Sequence, residues 1–284
     1  MNFQDIMLKK EDQIATVTLN RPQNLNAITY KMMRELLAAI DDVAADSDIR
    51  VMILTGAGQA FSAHHDFQWK KLKEGEVNFQ EVEDLVVEAK ASGDLRPGRL
   101  LTTFHNVLFS LQHLEKPVIA MINGDIVGGG FGFVLACDIR IGSPKARFMV
   151  RAPTIGEVPH GGELWMLPRI VGFGRALEIM MRCEFLEAEE AYRIGLLNRL
   201  VSAEQLESET VKLARTLMRI PPFTQRLTKQ AAYSALESDY RTSMSFSMAC
   251  LQLAWGSKDT REALMAIAED RSPVYTDKPL FDTT

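Results

Sequence analysis

Covalent staples are scarce in this chain. Three cysteines occur among 284 residues, Cys137, Cys183 and Cys250, widely separated and without C-x-x-C spacing. This argues against a disulfide framework or a cysteine-built zinc site and for reduced, buried thiols. No apolar run reaches ~18 residues, the length a bilayer span requires, so no membrane segment is expected. The first residues, MNFQDIMLKKEDQ, lack the basic-then-apolar layout of a secretion signal, and a cytoplasmic location is the expectation. Positive charge is also in short supply: the formal net charge of −5 leaves no electrostatic footprint for nucleic acid. With 46% apolar and 24% charged residues, the chain has the composition of an ordinary globular protein. Its length suits one large domain, or one domain with an appendage.

What is present alternates. QIATVTLNRP reads as a half-buried strand that stops at Asn20-Arg21-Pro22. AITYKMMRELLAAIDDVAAD then has apolar residues at helical spacing, with Thr29 as its cap. IRVMILTG, KPVIAMING and DIRIGSP read as buried strands, and GGGFGFVLACD as a short buried helix with a glycine first turn. Strands alternate with helices through residue 150, which predicts a parallel-type α/β core. Beyond about residue 170 the period is helical almost throughout. The expected division is an α/β core over 1–200 and a helical region for packing or oligomerisation over 201–284. Residues 68–100, polar and punctuated by glycine, are long for a connection between core strands. Such a segment is either a cover over an active site or a solvated surface helix.

Two turns carry chemical promise. In INGDIVGGGFGFVLACD, residues 122–138, three consecutive glycines separate a strand from a helix. Without Cβ atoms the backbone N–H groups are open to a ligand, and the helix start adds partial positive charge. A negative oxygen developing on a substrate would be stabilised there. The competing reading is a tight packing turn. The second turn is AFSAHHD, residues 60–66, where His64 and His65 follow a buried strand. Adjacent side chains diverge, and H-x-x-x-H and C-x-x-C spacings are missing, so no metal is expected.

Together VTLNRPQNLNAI, FSA..D, KPVIAMINGDIVGGGFGFVLACDIRIGSPKARF and PRIVGFGRALEIMM with EAEEAYRIGLLNRLV resemble the crotonase (enoyl-CoA hydratase/isomerase) superfamily. The match runs in order and spacing from about residue 5 to 270. The resemblance implies an α/β fold of repeated ββα units with a C-terminal helical region, assembled as a homo-trimer or dimer of trimers. It implies an acyl-CoA substrate whose thioester oxygen meets two backbone N–H groups, here those of His65 and Gly129. Asn24, Asn26, Ala27, Ala63 and Asp66 would lie along the substrate and its CoA. No cofactor is implied beyond the coenzyme A of the substrate itself.

The chain also departs from that pattern. Hydratases carry one glutamate two residues after the GGG run, where this chain has Gly132. The second would fall four residues before Gly156, at Ala152. Other branches move the acid–base group. Dienoyl-CoA isomerases and 4-chlorobenzoyl-CoA dehalogenase place an aspartate four residues after the glycine, a position held here by His160. The dehalogenase also has a histidine twelve residues before the strand proline, as His105 stands before Pro117. Imidazole titrates near neutrality and can take and return a proton without a large pKa shift. His160 is thus the first candidate acid–base group, with His64, His65, His105 and Glu157 as further candidates. His105 has a simpler reading as a packed side chain of an apolar helix. The expected activity is that of a lyase or isomerase on a bulky or cyclic acyl-CoA. The alternatives are hydrolysis of a thioester or of a β-diketone C–C bond, and CoA binding without catalysis.

Overall fold

The computed structural model describes residues 3–63 and 99–276. Strands β1 (Ile6–Glu11) and β2 (Ile14–Leu19) form a hairpin closed by Asp12 and Gln13, both at positive φ. Helix α1 (Tyr30–Ala45) follows, and the Thr29 hydroxyl accepts the Met32 N–H at 2.9 Å to cap it. The chain then winds through β3 (Val51–Gly56) and β4 (Ala60–Ala63), and on to α2 (Arg99–His113). A second turn comprises β5 (Val118–Ile122), β6 (Asp125–Val127) and α3 (Gly129–Ala136). A third comprises β7 (Ile139–Gly142), β8 (Arg147–Met149) and α4 (Glu163–Val171). These are repeated ββα units, as the resemblance implied.

Each unit gives one strand to each of two sheets. The larger has the order β1-β2-β3-β5-β7-β10 and the smaller β4-β6-β8-β9, where β9 is Leu186–Glu187 and β10 is Arg199–Leu200. From β2 to β10 the large sheet is parallel, so both of its faces are covered. Alternation along β3 shows how. Met52 and Leu54 enter the main core with α1, α2 and α3, whereas Val51 and Ile53 face the opposite cluster. Burial on both faces is why IRVMILTG is apolar without a break.

Helices α5 (Phe173–Arg182) and α6 (Ala188–Arg193) link the small sheet to β10, and α7 (Leu206–Leu217) comes next. Leu206, Leu213 and Ala214 of α7 pack on Ile119 and Ile141 of the large sheet. Helix α7 is therefore part of the core, beyond the division expected at residue 200. Helices α8 (Pro222–Ala235), α9 (Tyr240–Trp255) and α10 (Lys258–Ala268) complete the described chain, with a small cluster of their own around Leu227, Cys250 and Ala254. Asp138, at the start of β7, accepts hydrogen bonds from Lys229 Nζ and Tyr233 Oη, both at 2.8 Å, and so ties α8 to the core. No helix among the described residues is long and apolar enough to cross a membrane.

Candidate active site

The glycine run places α3 at the centre of the molecule, with every residue from Gly129 to Ala136 buried. A Cβ on Gly130 would lie 2.6 Å from the Ser62 carbonyl oxygen, so only glycine lets β4 approach the helix this closely. The run is thus a close-packing turn between β4 and α3. Gly129 is the first helical residue, and its N–H belongs to the first-turn donors that a helix leaves without an internal partner. Gly129 and Gly132 are three residues apart and share one helix face.

On that face a cavity of about 400 Å³ opens between α2, α3 and α4, with an apolar wall that includes Leu108, Leu135, Trp165 and Met166. Gly132, His105 and His160 line it as well. The helix thus presents bare backbone to the cavity at Gly132. There is no room for a side chain: a Cβ on Gly132 would meet the Gly161 carbonyl oxygen at 2.6 Å. The loop that carries His160 occupies that space.

Two residues distant in sequence meet in this cavity. The rings of His105 and His160 are 6.2 Å apart edge to face, and Phe104 packs 6.1 and 6.0 Å from them. His105 Nε2 lies 3.0 Å from the backbone oxygen of His160. A carbonyl can only accept, so Nε2 carries the proton and a neutral His105 keeps Nδ1 as an acceptor. His105 is neither a fully packed core side chain nor a free base, because its ring holds the loop of the other histidine. Desolvation pushes the His160 imidazole below its ordinary pKa, against the opposing charge of Glu157 and a hydrogen bond with the Val158 backbone. Burial therefore favours the neutral imidazole, the form that can accept a proton. Glu157 itself is exposed, at the edge of the site.

The stretch expected along CoA is brought together in the fold. The Ala63 N–H donates to Leu25 O at 2.9 Å, joining the end of β4 to the turn that holds Asn24, Asn26 and Ala27. Asn24 is exposed on it, and Ala27 is buried. The Asn26 side chain lies inside that turn. It is fully buried, its Nδ2 donates to Ala57 O and Ala60 O at 2.9 and 2.8 Å, and its Oδ1 accepts the Arg21 N–H at 2.9 Å. Its carbonyl accepts the Ser62 hydroxyl at 2.9 Å. Every polar group of Asn26 is engaged within the protein, so it supports the turn from inside and presents no side chain to CoA.

His64, His65 and Asp66 lie outside the described residues, as does nearly all of the 68–100 segment. Among the described residues no three His, Cys, Asp or Glu side chains are grouped to hold a metal ion. One carboxylate beside the cavity was not legible in the sequence. Glu163 is 3% exposed, and its Oε2 accepts the Gly161 N–H at 2.6 Å. In the chain it is one acidic residue at a helix start, and nothing in the local pattern marks it as buried.

Comparison with known proteins places this architecture. The family profile described as enoyl-CoA hydratase/isomerase matches residues 9–278. A short-chain-enoyl-CoA hydratase of Clostridium acetobutylicum is 32% identical over 95% of this chain and 97% of its own. A 1,2-epoxyphenylacetyl-CoA isomerase of Escherichia coli is 33% identical over 96% of this chain and 98% of its own. The crystal structure of an enoyl-CoA hydratase from Bacillus anthracis superposes with a TM-score of 0.85 at 27% identity, covering 97% of this chain and all of that one. The ββα repeats and the site between their helices define an acyl-CoA-transforming enzyme of the crotonase type. The chain belongs to the enoyl-CoA hydratase/isomerase family.

Proposed function

We propose that this protein transforms a bulky or cyclic acyl-CoA by way of a thioester enolate, with His160 as the group that moves the proton. The thioester oxygen would sit at the start of α3 and accept the Gly129 N–H, with the His65 N–H as the second donor. Hydrogen bonds that polarise the carbonyl and stabilise the enolate oxygen acidify the α-carbon, and the neutral His160 imidazole takes the proton and returns it elsewhere on the acyl group. Double-bond migration, lyase chemistry and ring isomerisation all share this step.

The observation that carries the reading is the cavity itself. It combines an apolar wall with a desolvated histidine, His160, beside Gly132 of α3. Its volume of about 400 Å³ exceeds what a four-carbon acyl group requires. A relative named for a phenylacetyl-derived CoA adds support for a ring. Simple water addition ranks lower because the positions of the two hydratase glutamates hold Gly132 and Ala152. Hydrolysis by water activated at an imidazole is the second reading, favoured by the pairing of His105 and His160 in one cavity.

The test is incubation with straight-chain, branched and aromatic acyl-CoAs, following enoyl absorbance and free thiol together. Turnover of branched or ring-bearing thioesters without CoA release is expected. Release of free CoA in step with substrate loss would replace this reading with hydrolysis. CoA binding with no turnover across the panel would leave a binding protein.

We also infer a homo-trimer or a dimer of trimers. The support is a set of large apolar side chains left exposed on α9 and α10, among them Tyr240, Trp255 and Ile267 at 81%, 67% and 78%.

A further inference from the structure

The peptide group that joins His160 to Gly161 is held at both of its edges by ionisable side chains. Its carbonyl accepts the His105 Nε2–H at 3.0 Å, and its N–H donates to Glu163 Oε2 at 2.6 Å. In a trans peptide these two groups point in opposite directions, so the pair of bonds fixes the rotation of the peptide plane. Holding the plane limits the torsions on either side of it, and so the directions in which the His160 side chain can leave the backbone. We propose that Glu163 is a positioning residue of this site, which aims the His160 imidazole into the cavity by gripping the 160–161 peptide against His105.

Helix capping alone does not account for Glu163. An acidic residue favours the first turn of a helix, and Glu189 and Glu207 do so at the starts of α6 and α7 while exposed. Glu163 is instead buried and turned back to the preceding loop, where its carboxyl accepts the Gly161 N–H besides its own N–H, and burying a carboxylate is costly even with such partners. Desolvation accordingly pushes its carboxyl up. An expense of that kind is retained where geometry is needed.

The surroundings fit the same role. Gly161 is tightly held: a Cβ there would lie 3.2 Å from Glu163 Oε1 and 3.3 Å from the Gly132 Cα, so its neighbours would have to give way. The carboxyl, the glycine loop and the glycine of α3 are therefore one packed unit. The chain from imidazole through peptide to carboxyl also polarises each of its hydrogen bonds, which strengthens the grip at both ends. Glu163 itself does not line the cavity, and its effect on the reaction passes through His160.

This inference rests on His160 as the proton-moving group, and the experiment separates the two. Wild type and the variants Glu163→Gln, Glu163→Leu, Glu163→Asp and His160→Ala are assayed on the acyl-CoA turned over fastest in the panel. Glu163→Gln keeps an acceptor for the Gly161 N–H, and its kcat should stay within about threefold of wild type. Glu163→Leu removes the acceptor and should lower kcat by about tenfold or more while KM changes less than about twofold. Introduced into His160→Ala, the same change should cost nothing further, because the group it positions is gone. A wild-type kcat for Glu163→Leu overturns the proposal, and so does an equal loss in the His160→Ala background, which marks a structural role only. Should Glu163→Leu not fold, Glu163→Asp keeps the charge but withdraws it by one methylene, and a wild-type kcat there overturns the proposal equally. If His160→Ala retains full activity, the His160 reading fails and this inference falls with it. If His160→Ala is inactive and the Glu163 variants are normal, only this inference fails.

Discussion

His105 on α2 donates its Nε2–H to the backbone carbonyl of His160, 3.0 Å away, so one histidine of the cavity holds the loop of the other. His105 is therefore expected to influence turnover through His160. Replacing it with leucine keeps much of the bulk and removes the donor. One hydrogen bond lost from the transition state is worth ~1.4 kcal/mol, or about tenfold in kcat. The affinity for CoA alone should not change, and steady-state kinetics with calorimetric CoA titration reads both quantities. A kcat loss as deep as that of His160→Ala would instead place His105 among the groups that touch the substrate.

The pH profile should report His160. Desolvation holds its pKa below the ordinary histidine value, so the neutral form persists to lower pH than for a solvated imidazole. The rate is expected to be flat at neutral pH and to fall as pH drops through that lowered pKa, with a midpoint below ~6.5. The negative charge of Glu157 opposes the shift. Removing it in Glu157→Gln should move the acid limb of kcat/KM to lower pH still. A limb that stays in place or moves upward would exclude His160 as its source.

A carboxylate restored at position 132 should not rebuild a water-adding site. Even Gly132→Ala would bring a Cβ to 2.6 Å from the Gly161 carbonyl oxygen. Overpacking of this kind costs ~1–3 kcal/mol, seen as a lower Tm, and it displaces the loop that holds His160. Gly132→Glu is expected to be less stable and less active than Gly132→Ala. Gain of crotonyl-CoA hydration by Gly132→Glu would contradict this account of the site.

Asp138 should matter for stability and not for chemistry. It accepts the Val118 N–H at 2.7 Å together with Lys229 and Tyr233, and so joins two β-strands to α8. Asp138→Ala takes the counter-charge from the Lys229 ammonium, which is only 10% exposed but still donates to Lys116 O at 3.2 Å. An uncompensated buried charge costs ~3–5 kcal/mol, and the remaining carbonyl and solvent contacts favour the lower figure. Urea denaturation measures it, and a change below about 1 kcal/mol would mean that α8 is held by its apolar contacts alone.

The exposed apolar faces of α9 and α10 should disappear on assembly. Trp255→Glu with Ile267→Glu puts charge where both positions stand open in the single chain. Sedimentation should show dissociation to monomers if these faces meet other copies. An unchanged oligomer would locate the interface elsewhere.

The elements that the sequence announced are those with strong local pattern. Thr29 ahead of an amphipathic run marked α1, and unbroken apolar runs marked β3 and β5 because both faces of a parallel sheet are covered. Strand β1 had no such mark: it is an edge strand, largely exposed, and LKKE carries no alternation. The packing of α7 was equally silent, since its amphipathic stripe does not say which surface it will cover. In the site, spacing against the family pattern pointed to Gly129, His105 and His160. It could not distinguish Asn26 as an internal brace from Asn26 as a ligand contact, because both roles call for a polar side chain beside a turn.

By itself the sequence determined the family, the ββα order and the glycine helix start. These are properties of residue type and spacing along the chain. Only the tertiary structure decided that the loop after Gly156 fills the space above Gly132. It also decided that His105 reaches the carbonyl of His160 and that Glu163 turns inward to meet Gly161. Those contacts join groups held by different elements, and their distances are set by how closely glycine backbones pack, which no one-dimensional pattern records.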